Sequence, residues 1–286
     1  PLDNPDDSGR LDYDYTNPVA ALQWRASPTL NLYLSAGQGF ESPTFNELAY
    51  RPDGQPGFNS GLDAQKSTQV ELGAKWRPAP GLALDFAVFE ARTDDEIGVA
   101  TNSNGRSSFQ NVGKTTRRGA ELGAAWQPSA NWRGALALTV LSATYDDSFQ
   151  TCLAAPCNAF NPQNFVTVPA GNRIAGTSPR SAYAELAWLP KGNDATEIAA
   201  EWQARAETAV NDRNSDFADG YATFALRARQ QYRLSDSSRL ELLARVDNVF
   251  DREYASSVIV NDGNGRFFEP GSPRAWLLSV KWRQAF

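Results

Sequence analysis

The 286-residue sequence contains no histidine and no methionine. The absence of histidine excludes imidazole-based metal sites and any mechanism that needs a histidine general base. A Ser-His nucleophile pair is therefore impossible, and the adjacent carboxylates Asp94 and Asp95 are better interpreted as loop charges. We expect neither enzymatic activity nor a resident cofactor.

Cysteine is also scarce: Cys152 and Cys157, five positions apart, are the two in the chain. This spacing differs from that of a CxxC redox pair, and a catalytic thiol would need an activating neighbour. The favoured interpretation is a small disulfide loop formed in an oxidising compartment. The alternative is two free thiols.

Long hydrophobic runs and basic clusters are missing too. Hydrophobic residues make up 41% of the chain and charged residues 21%, and mean hydropathy is -0.48. No run approaches the roughly 18 to 20 apolar residues of a transmembrane helix. A transmembrane β-strand alternates lipid-facing and lumen-facing residues, so a low average does not exclude it. The net charge of -6, without a basic cluster, makes nucleic acid an unexpected partner.

What the chain does contain is a two-residue alternation, clearest in residues 272–286. One side of this segment carries Trp276, Leu278, Val280 and Trp282, and the other carries Ser279, Lys281 and Arg283. The same period recurs in about eleven segments, joined by one set of short and one set of mostly long connections. Because outer-membrane barrels have short turns at one end and long loops at the other, the pattern predicts an all-β fold, an antiparallel transmembrane β-barrel.

Aromatic residues support this prediction because they lie beside the short turns. The predicted interfacial girdle comprises Trp24, Trp76, Trp126, Trp188, Tyr232, Trp282 and the terminal Phe286. One membrane interface would place them at one level, whereas a soluble sandwich, the alternative, would scatter them through its core. The predicted inward set is polar, which suits a water-filled or plugged lumen; its charged members are Glu71, Lys75, Asp85, Glu121, Glu185, Glu197, Glu201, Glu241, Arg245, Lys281 and Arg283.

Eleven strands alone would leave two unpaired sheet edges in lipid, at several kcal/mol for each unsatisfied backbone group. Single-chain bacterial barrels have even strand numbers. A missing N-terminal stretch is therefore more economical than an odd barrel or a dimer of half-barrels. The chain begins at Pro1 without an initiator methionine or a signal peptide. We expect a processed piece or fragment, with residues 1–15 a loop or fragment edge and residues 16–286 the barrel.

Four stretches resemble motifs of TonB-dependent outer-membrane receptors, in the family's order. They are GFESPTFNEL at 39–48, similar to GFxxPTxxEL; NVG at 111–113 with RGAEL at 118–122, similar to N…RGxEL; DNVFDREY at 247–254, similar to NLFDxxY; and PGSPR at 270–274 with Phe286, similar to the PGxPR ending. The resemblance covers residues 16–286. It implies the C-terminal half of a twenty-two-stranded barrel, with the plug domain absent.

The resemblance also implies a function and partners. Such receptors take up a scarce ligand across the outer membrane of Gram-negative bacteria, driven by the TonB-ExbB-ExbD complex acting on an N-terminal plug. The aromatic end at Phe286 resembles the signal recognised by the barrel-assembly machinery, and outer-membrane lipid is the expected surroundings. Without a plug or a TonB box, this chain is not expected to transport by itself.

The motif residues are expected to be architectural. Gly39 and Gly119 suit bends or close approaches between chains, and Pro43 and Pro273 suit strand margins that need no ladder N–H. Asn248 would interrupt an apolar strand where it leaves the membrane, and so would Asp251.

Ligand contacts are expected in the long loops, where aromatic and cationic residues coincide. The candidates are Tyr50, Arg51, Phe58, Phe165, Arg173, Arg266, Phe267 and Phe268, with Phe45 and Phe160 beside them. This mixture suits an anionic, partly aromatic ligand such as a ferric siderophore; the alternative is that these side chains only pack the loops together. The loop 211–216 could bind Ca²⁺, although a solvated loop is the safer interpretation.

Two further functions stay open. Residues 40–59 show a faint similarity to receptors for pyrroloquinoline quinone, so this organic cofactor is an alternative ligand. A passive porin, with an open lumen and no plug, is the alternative from another class.

Overall fold

The computed structural model describes residues 9–53, 57–103, 106–153, 157, 160–192 and 195–284. Within these ranges the fold is all-β, with one short helix, α1 (Phe45–Leu48), and a 3-10 turn at Pro162–Asn164. No helix in this part of the chain is long and apolar enough to cross a membrane.

The described residues form nineteen strands. In chain order they are β1 (Val19–Ser27), β2 (Leu30–Glu41), β3 (Gln65–Ala79), β4 (Leu82–Asp94), β5 (Ile97–Ser103), β6 (Arg106–Asn111), β7 (Thr115–Ser129), β8 (Trp132–Tyr145), β9 (Phe149–Cys152), β10 (Phe165–Val168), β11 (Arg180–Trp188), β12 (Thr196–Arg205), β13 (Thr208–Ala209), β14 (Phe217–Ala218), β15 (Tyr221–Arg233), β16 (Ser238–Asp247), β17 (Ala255–Val258), β18 (Phe268–Pro270) and β19 (Ala275–Gln284).

One antiparallel sheet of eleven strands dominates the fold, which confirms the predicted class. Its order is β1-β2-β3-β4-β7-β8-β11-β12-β15-β16-β19, so each strand of this sheet pairs with the sheet strands that come before and after it along the chain. The sheet is open, with β1 and β19 at its edges. The other eight strands form four two-stranded hairpins, β5–β6, β9–β10, β13–β14 and β17–β18, in the long connections.

The connections alternate in length. Residues 28–29, 80–81, 130–131, 189–195 and 234–237 form the short set, and residues 42–64, 95–114, 146–179, 206–220 and 248–274 form the long set. All the long connections therefore lie at one end of the sheet. We call the structure that they build the loop layer.

One strand boundary differs from the sequence prediction. The alternation predicts that the strand from Leu82 runs on to about Thr101 and that the chain returns as one strand from Arg106. Instead β4 ends at Asp94, and Asp95 has a φ of 55°. On the return Gly113 has a φ of +81°. Because extended strands need negative φ, these two residues detach β5–β6 from the large sheet as a separate hairpin.

A small hydrophobic core lies where β8 enters the loop layer. Its buried members are Val112, Ala143, Tyr145, Val168 and Ile174. They come from the large sheet, which we call the wall, and from two long connections. This core therefore attaches the loop layer to the wall.

Candidate functional site

The outward face of the large sheet is apolar and exposed. Leu22, Leu34, Leu72, Val88, Ala120 and Val140 face one another in sequence across β1, β2, β3, β4, β7 and β8. Exposed side chains continue the band on the other strands: Leu186, Ile198, Leu226, Leu242, Leu278 and Val280. A sheet buried by a second layer would cover these residues. Here nothing in the described chain covers them.

The aromatic residues of the predicted girdle are exposed near the short connections. Trp24, Trp76, Trp126, Trp188, Tyr232 and Trp282 are each 42 to 65% exposed. Trp132, which the prediction did not include, stacks on Trp188 with ring centroids 6.4 Å apart. Phe286 lies outside the described residues.

A second group of exposed aromatics lies toward the loop layer and was also missed. Trp276 is 74% exposed and Phe250 73% exposed, and Phe250 packs edge-on against Phe224 at 5.3 Å. The signal was available: Trp276 and Phe224 fall on the apolar side of the alternation, at the far end of their strands from the short turns. Aromatic residues therefore border the apolar band at both ends.

The inward face carries an ion-pair network centred on Arg227. Its guanidinium donates to Glu201 on β12 at 2.7 Å, to Glu197 on the same strand at 3.0 Å and to Glu185 on β11 at 3.2 Å. Glu201 also accepts both Nη groups of Arg245 on β16, at 2.7 and 2.8 Å. The network joins four neighbouring strands, so it fixes their register while keeping the wall polar.

Glu197 is the most buried member of this network, with its side chain 3% exposed. Two further arginines, Arg133 from β8 and Arg229 from β15, pair with it. The sequence placed Glu185, Glu197, Glu201 and Arg245 inward, but the three arginines Arg133, Arg227 and Arg229 were not singled out. The two-residue period does put all three on the inward side.

A pocket of about 260 Å³ opens on the inward face beside this network. Its polar lining includes Tyr183, Glu201, Gln203, Arg245 and Asp247. Arg245 also donates to Asp247 at 2.8 Å. The carboxylates of Glu201 and Asp247 therefore share the pocket lining with the guanidinium of Arg245. It offers both hydrogen-bond donors and acceptors to whatever lies inside the sheet.

The loop layer is organised around the hairpin β5–β6. The first long connection reaches it through Asn59, whose side-chain amide donates to the Phe109 carbonyl at 3.0 Å. The loop containing β9–β10 reaches it through Gln110, which donates to the Gln150 carbonyl at 3.0 Å. The last long connection reaches it where Asn102 donates through its side chain to the Val260 carbonyl at 2.6 Å. Loops far apart in sequence therefore meet on one element.

Asp212 is the most buried polar residue among those that the structure describes in this layer, at 2% exposed. Its carboxylate accepts the Tyr145 hydroxyl at 2.6 Å and the Asn261 amide at 2.7 Å. Burial raises the pKa of Asp212 above its usual value, and these hydrogen bonds oppose the rise. The Asn172 amide donates to the Asp212 carbonyl at 2.9 Å. Three long connections and the end of β8 thus converge here.

This geometry corrects the interpretation of residues 211–216 as a solvated loop. Asn211 and Asp212 are buried, and the side-chain Oδ1 of Asn211 accepts hydrogen bonds from the backbone N–H and the hydroxyl of Ser215. Asn214 exchanges hydrogen bonds with the backbone of Arg173. The oxygen-rich composition that suggested Ca²⁺ serves internal hydrogen bonding instead. Within the described ranges, no three His, Cys, Asp or Glu side chains are grouped to hold a metal.

The ligand candidates of the first long connection lie next to the β5–β6 hairpin. The guanidinium of Arg106 is 5.1 Å from the centre of the Tyr50 ring, a contact that sequence reasoning missed. Arg51 pairs with Asp53 at 2.6 Å. Phe58 is half-buried, whereas Phe45 is 88% exposed.

The other candidates occupy different parts of the loop layer. Phe165 begins β10 and is 39% exposed, and Phe160 is 91% exposed. Phe267 and Phe268 contact each other edge-on at 6.3 Å. Arg266 beside them is exposed. The loops that carry the candidates meet at the β5–β6 hairpin, while the candidates themselves remain in separate clusters.

Arg173, the remaining ligand candidate, lies on the outward side of the sheet. It forms a bridge with Thr144 of β8, whose alternation puts it on the outward side, and its guanidinium lies 5.6 Å from the centre of the Phe217 ring. Its neighbour Ile174 enters the buried core instead. Arg173 therefore lies on the outer surface of the wall.

Cys152 and Cys157 are joined by a disulfide. It closes a small loop at the end of β9, beside the Asn164 carbonyl, which accepts the Leu153 N–H at 2.8 Å.

Comparison with known proteins decides the family. Residues 2–249 match the family described as TonB dependent receptor-like, beta-barrel. The chain belongs to this family.

Solved structures share the fold of this TonB-dependent receptor barrel. The ferric preacinetobactin receptor BauA from Acinetobacter baumannii has a TM-score of 0.66 at 18% identity, over 93% of this chain and 36% of that one. The ferric yersiniabactin uptake receptor FyuA from Yersinia pestis has a TM-score of 0.67 at 17% identity, over 94% and 37%. The copper transporter OprC has a TM-score of 0.67 at 18% identity, over 93% and 39%. The chain thus spans less than two-fifths of each of these proteins.

The receptor-like motifs occupy structural positions. Thr44 caps α1 by accepting the Glu47 N–H, and the Glu47 carboxylate accepts the Thr44 N–H in return. Asn111 joins two loops by donating to the carbonyls of Asp63 and Asp95.

The last two motifs bind each other. Asn248, with a φ of 47°, donates to the Ser272 carbonyl at 3.1 Å. Asp251 accepts the Arg274 N–H at 2.8 Å. These contacts fasten the turn after β16 to the entry of β19, which suits an architectural role.

Proposed function

We propose that the chain is part of the wall of a TonB-dependent receptor in the outer membrane of a Gram-negative bacterium, and that this receptor takes up a ferric siderophore. The observation that supports it best is the two-faced sheet, apolar and exposed outside and ion-paired inside. In this proposal the outward band contacts lipid and the inward network faces the transport path. In this proposal the complete receptor transports its ligand and catalyses no reaction.

The unpaired edges of the sheet indicate how much of the barrel this chain forms. In lipid, β1 and β19 need partners for their backbone groups. We infer that residues 16–286 form half of a closed barrel and that further strands of a longer protein pair with these edges. TonB-ExbB-ExbD would act through a plug inside that barrel, and the barrel-assembly machinery would recognise the strand ending at Phe286.

The loop layer supports an anionic, partly aromatic ligand. Arg106 on Tyr50 and Arg266 beside the Phe267–Phe268 pair put exposed cations next to aromatic rings. An iron chelate with aromatic iron-binding groups can stack on such rings and accept charge-assisted hydrogen bonds. Structural neighbours include receptors for ferric preacinetobactin and ferric yersiniabactin. With no histidine or methionine in the sequence, a chelate suits this chain better than a bare transition metal.

Uptake of radioactive iron tests the proposal. A strain deleted for the gene is compared with its parent on ⁵⁵Fe-loaded catecholate, hydroxamate and phenolate siderophores, with pyrroloquinoline quinone as a separate arm. We expect the parent to take up at least one chelate, the deletion strain to lose that uptake, and a protonophore to abolish it. Energy-independent entry of small sugars, without any iron phenotype, would instead indicate a passive porin.

A point variant tests the loop cations. Arg266→Ala removes one charge-assisted contact, so we expect roughly tenfold weaker ligand binding. Arg239→Ala, an exposed arginine at the short-turn end of β16, is the matched control and should bind like the parent. Equal binding by both variants would contradict a role for Arg266.

A further inference from the structure

The outward face has a basic groove directly above the apolar band. Arg118 on β7 faces Ser142 of β8, and Arg180 on β11 faces Val140 of the same strand. The two arginines therefore flank β8 on its outer side. Their partners Ser142 and Val140 are two residues apart along β8. Together with Arg173 they line a groove of about 930 Å³.

The charges in this groove are not fully balanced by protein acids. Arg118 pairs with Glu90 at 2.6 Å, and its side chain is still 60% exposed. Arg173 lies 3.5 Å from Glu207 through Nη1, yet this buried nitrogen makes no hydrogen bond. Arg180 is exposed and has no ion pair with any residue that the structure describes. Arg118 and Arg180 thus offer exposed donors to an anion from outside the chain, and Arg173 adds positive charge beside them.

Apolar surface continues from the groove toward the short-turn end. Val140, at its floor, is 56% exposed, and Leu186 lies farther down β11 at 46% exposed. A ligand in the groove would contact cationic side chains at one end and apolar side chains at the other. An amphipathic molecule with an anionic head matches this order.

We propose that the groove binds the phosphate-bearing headgroup of an outer-leaflet lipid, with its acyl chains along Val140 and Leu186. The inference rests on the proposed outer-membrane location but not on the transported ligand. Arginine is suited to this role because its planar guanidinium binds phosphate oxygens in pairs. The groove lies on the opposite side of the sheet from the ion-pair network, so it is separate from the transport path.

The test measures lipid binding by the intact receptor in detergent. The probes are bisphosphorylated lipid A, the same lipid without phosphates, and inorganic phosphate. Arg118→Gln together with Arg180→Gln removes two charges from the groove, and Arg239→Gln removes one charge at the opposite end of the wall. A further variant, Arg118→Lys together with Arg180→Lys, keeps both charges. Electrophoretic mobility with and without heating, together with ligand uptake, shows whether each variant is folded.

We expect the receptor to prefer the phosphorylated lipid and the double glutamine variant to bind it about tenfold or more weakly. The lysine variant should retain most of the affinity, and Arg239→Gln should bind like the parent. Equal affinity for the two lipids, or unchanged binding by a folded double glutamine variant, would overturn the proposal. So would full competition by inorganic phosphate at the lipid's own concentration, since it would show a free-anion site. Uptake by the parent is scored independently, so failure of either proposal can be distinguished.

Discussion

Tyr145→Phe should loosen the loop layer without altering the wall below it. Tyr145 is 4% exposed, and its hydroxyl donates at 2.6 Å to Asp212, which is 2% exposed. A hydrogen bond to a charged group contributes about 1.5 to 3 kcal/mol. If local opening governs amide exchange, protection should therefore fall roughly tenfold to 150-fold.

Hydrogen exchange in the intact receptor measures this loss at defined amides. Useful reporters are the Gly176 N–H, which donates to Ala209, and the Asn261 N–H, which donates to Val210. The matched control is Tyr33→Phe, because the Tyr33 hydroxyl donates at 2.6 Å to Glu71 on the inner wall instead. The control should leave exchange at the reporters unchanged.

Acidification should reduce the effect of the substitution. Burial raises the pKa of Asp212 in the closed loops, so the closed state binds a proton more tightly than the open state. The closed state therefore gains stability as pH falls through this raised pKa. Tyr145→Phe removes a hydrogen bond that lowers the pKa, and the loss of protection should be largest near neutral pH. Two results would refute the reasoning. One is the same amide protection in Tyr145→Phe as in the parent at neutral pH, and the other is a loss of protection that grows on acidification.

Two further substitutions probe the wall. Arg227→Met should lower the free energy of unfolding by about 1 to 3 kcal/mol, because Glu185, Glu197 and Glu201 lose a shared partner. The cost stays moderate because Glu197 and Glu201 keep other arginine partners. Urea unfolding in vesicles measures this cost, and a value no larger than that of Arg25→Met on exposed β1 would contradict the prediction. Gly73→Val should lower the free energy of unfolding by a similar amount, about 1 to 3 kcal/mol, because its Cβ would clash with the Tyr33 ring. Adding Tyr33→Ala to the same protein should recover part of that loss. An unchanged free energy of unfolding in Gly73→Val would show that the ring moves freely.

The alternation of side chains made the large sheet predictable. Each strand shows a period of two, and residues such as Leu72 and Glu71 fall on opposite faces, as the sequence indicates. Turn length then gave the antiparallel order. Local pattern was sufficient because each strand of the large sheet pairs with the preceding and the following strand of that sheet along the chain.

The loop layer was much less predictable. Asp212 and Tyr145 are 67 residues apart, and nothing local in either segment signals their contact. The detachment of β5–β6 depends on positive φ at Asp95 and Gly113, which alternation does not encode. Arg227 could have been placed on the inward side by its period, but its three acidic partners lie on other strands. Such contacts depend on tertiary register, which only the folded sheet reveals.

Lipid contact by the outward face is the central claim, and neighbouring positions on the two faces test it directly. Leu72 points outward and is 54% exposed. Glu121 points inward at nearly the same level, because Leu72 faces Val88 and Val88 faces Ala120. Each can be replaced singly by cysteine for fluorophore labelling, since Cys152 and Cys157 are bonded to each other.

The deciding measurement is quenching of these fluorophores in the intact receptor by lipids with brominated acyl chains. The label in Leu72→Cys should lose intensity relative to ordinary vesicles, and the label in Glu121→Cys should not. Equal quenching at both positions, or quenching at 121 alone, would contradict a wall that turns its apolar side to lipid.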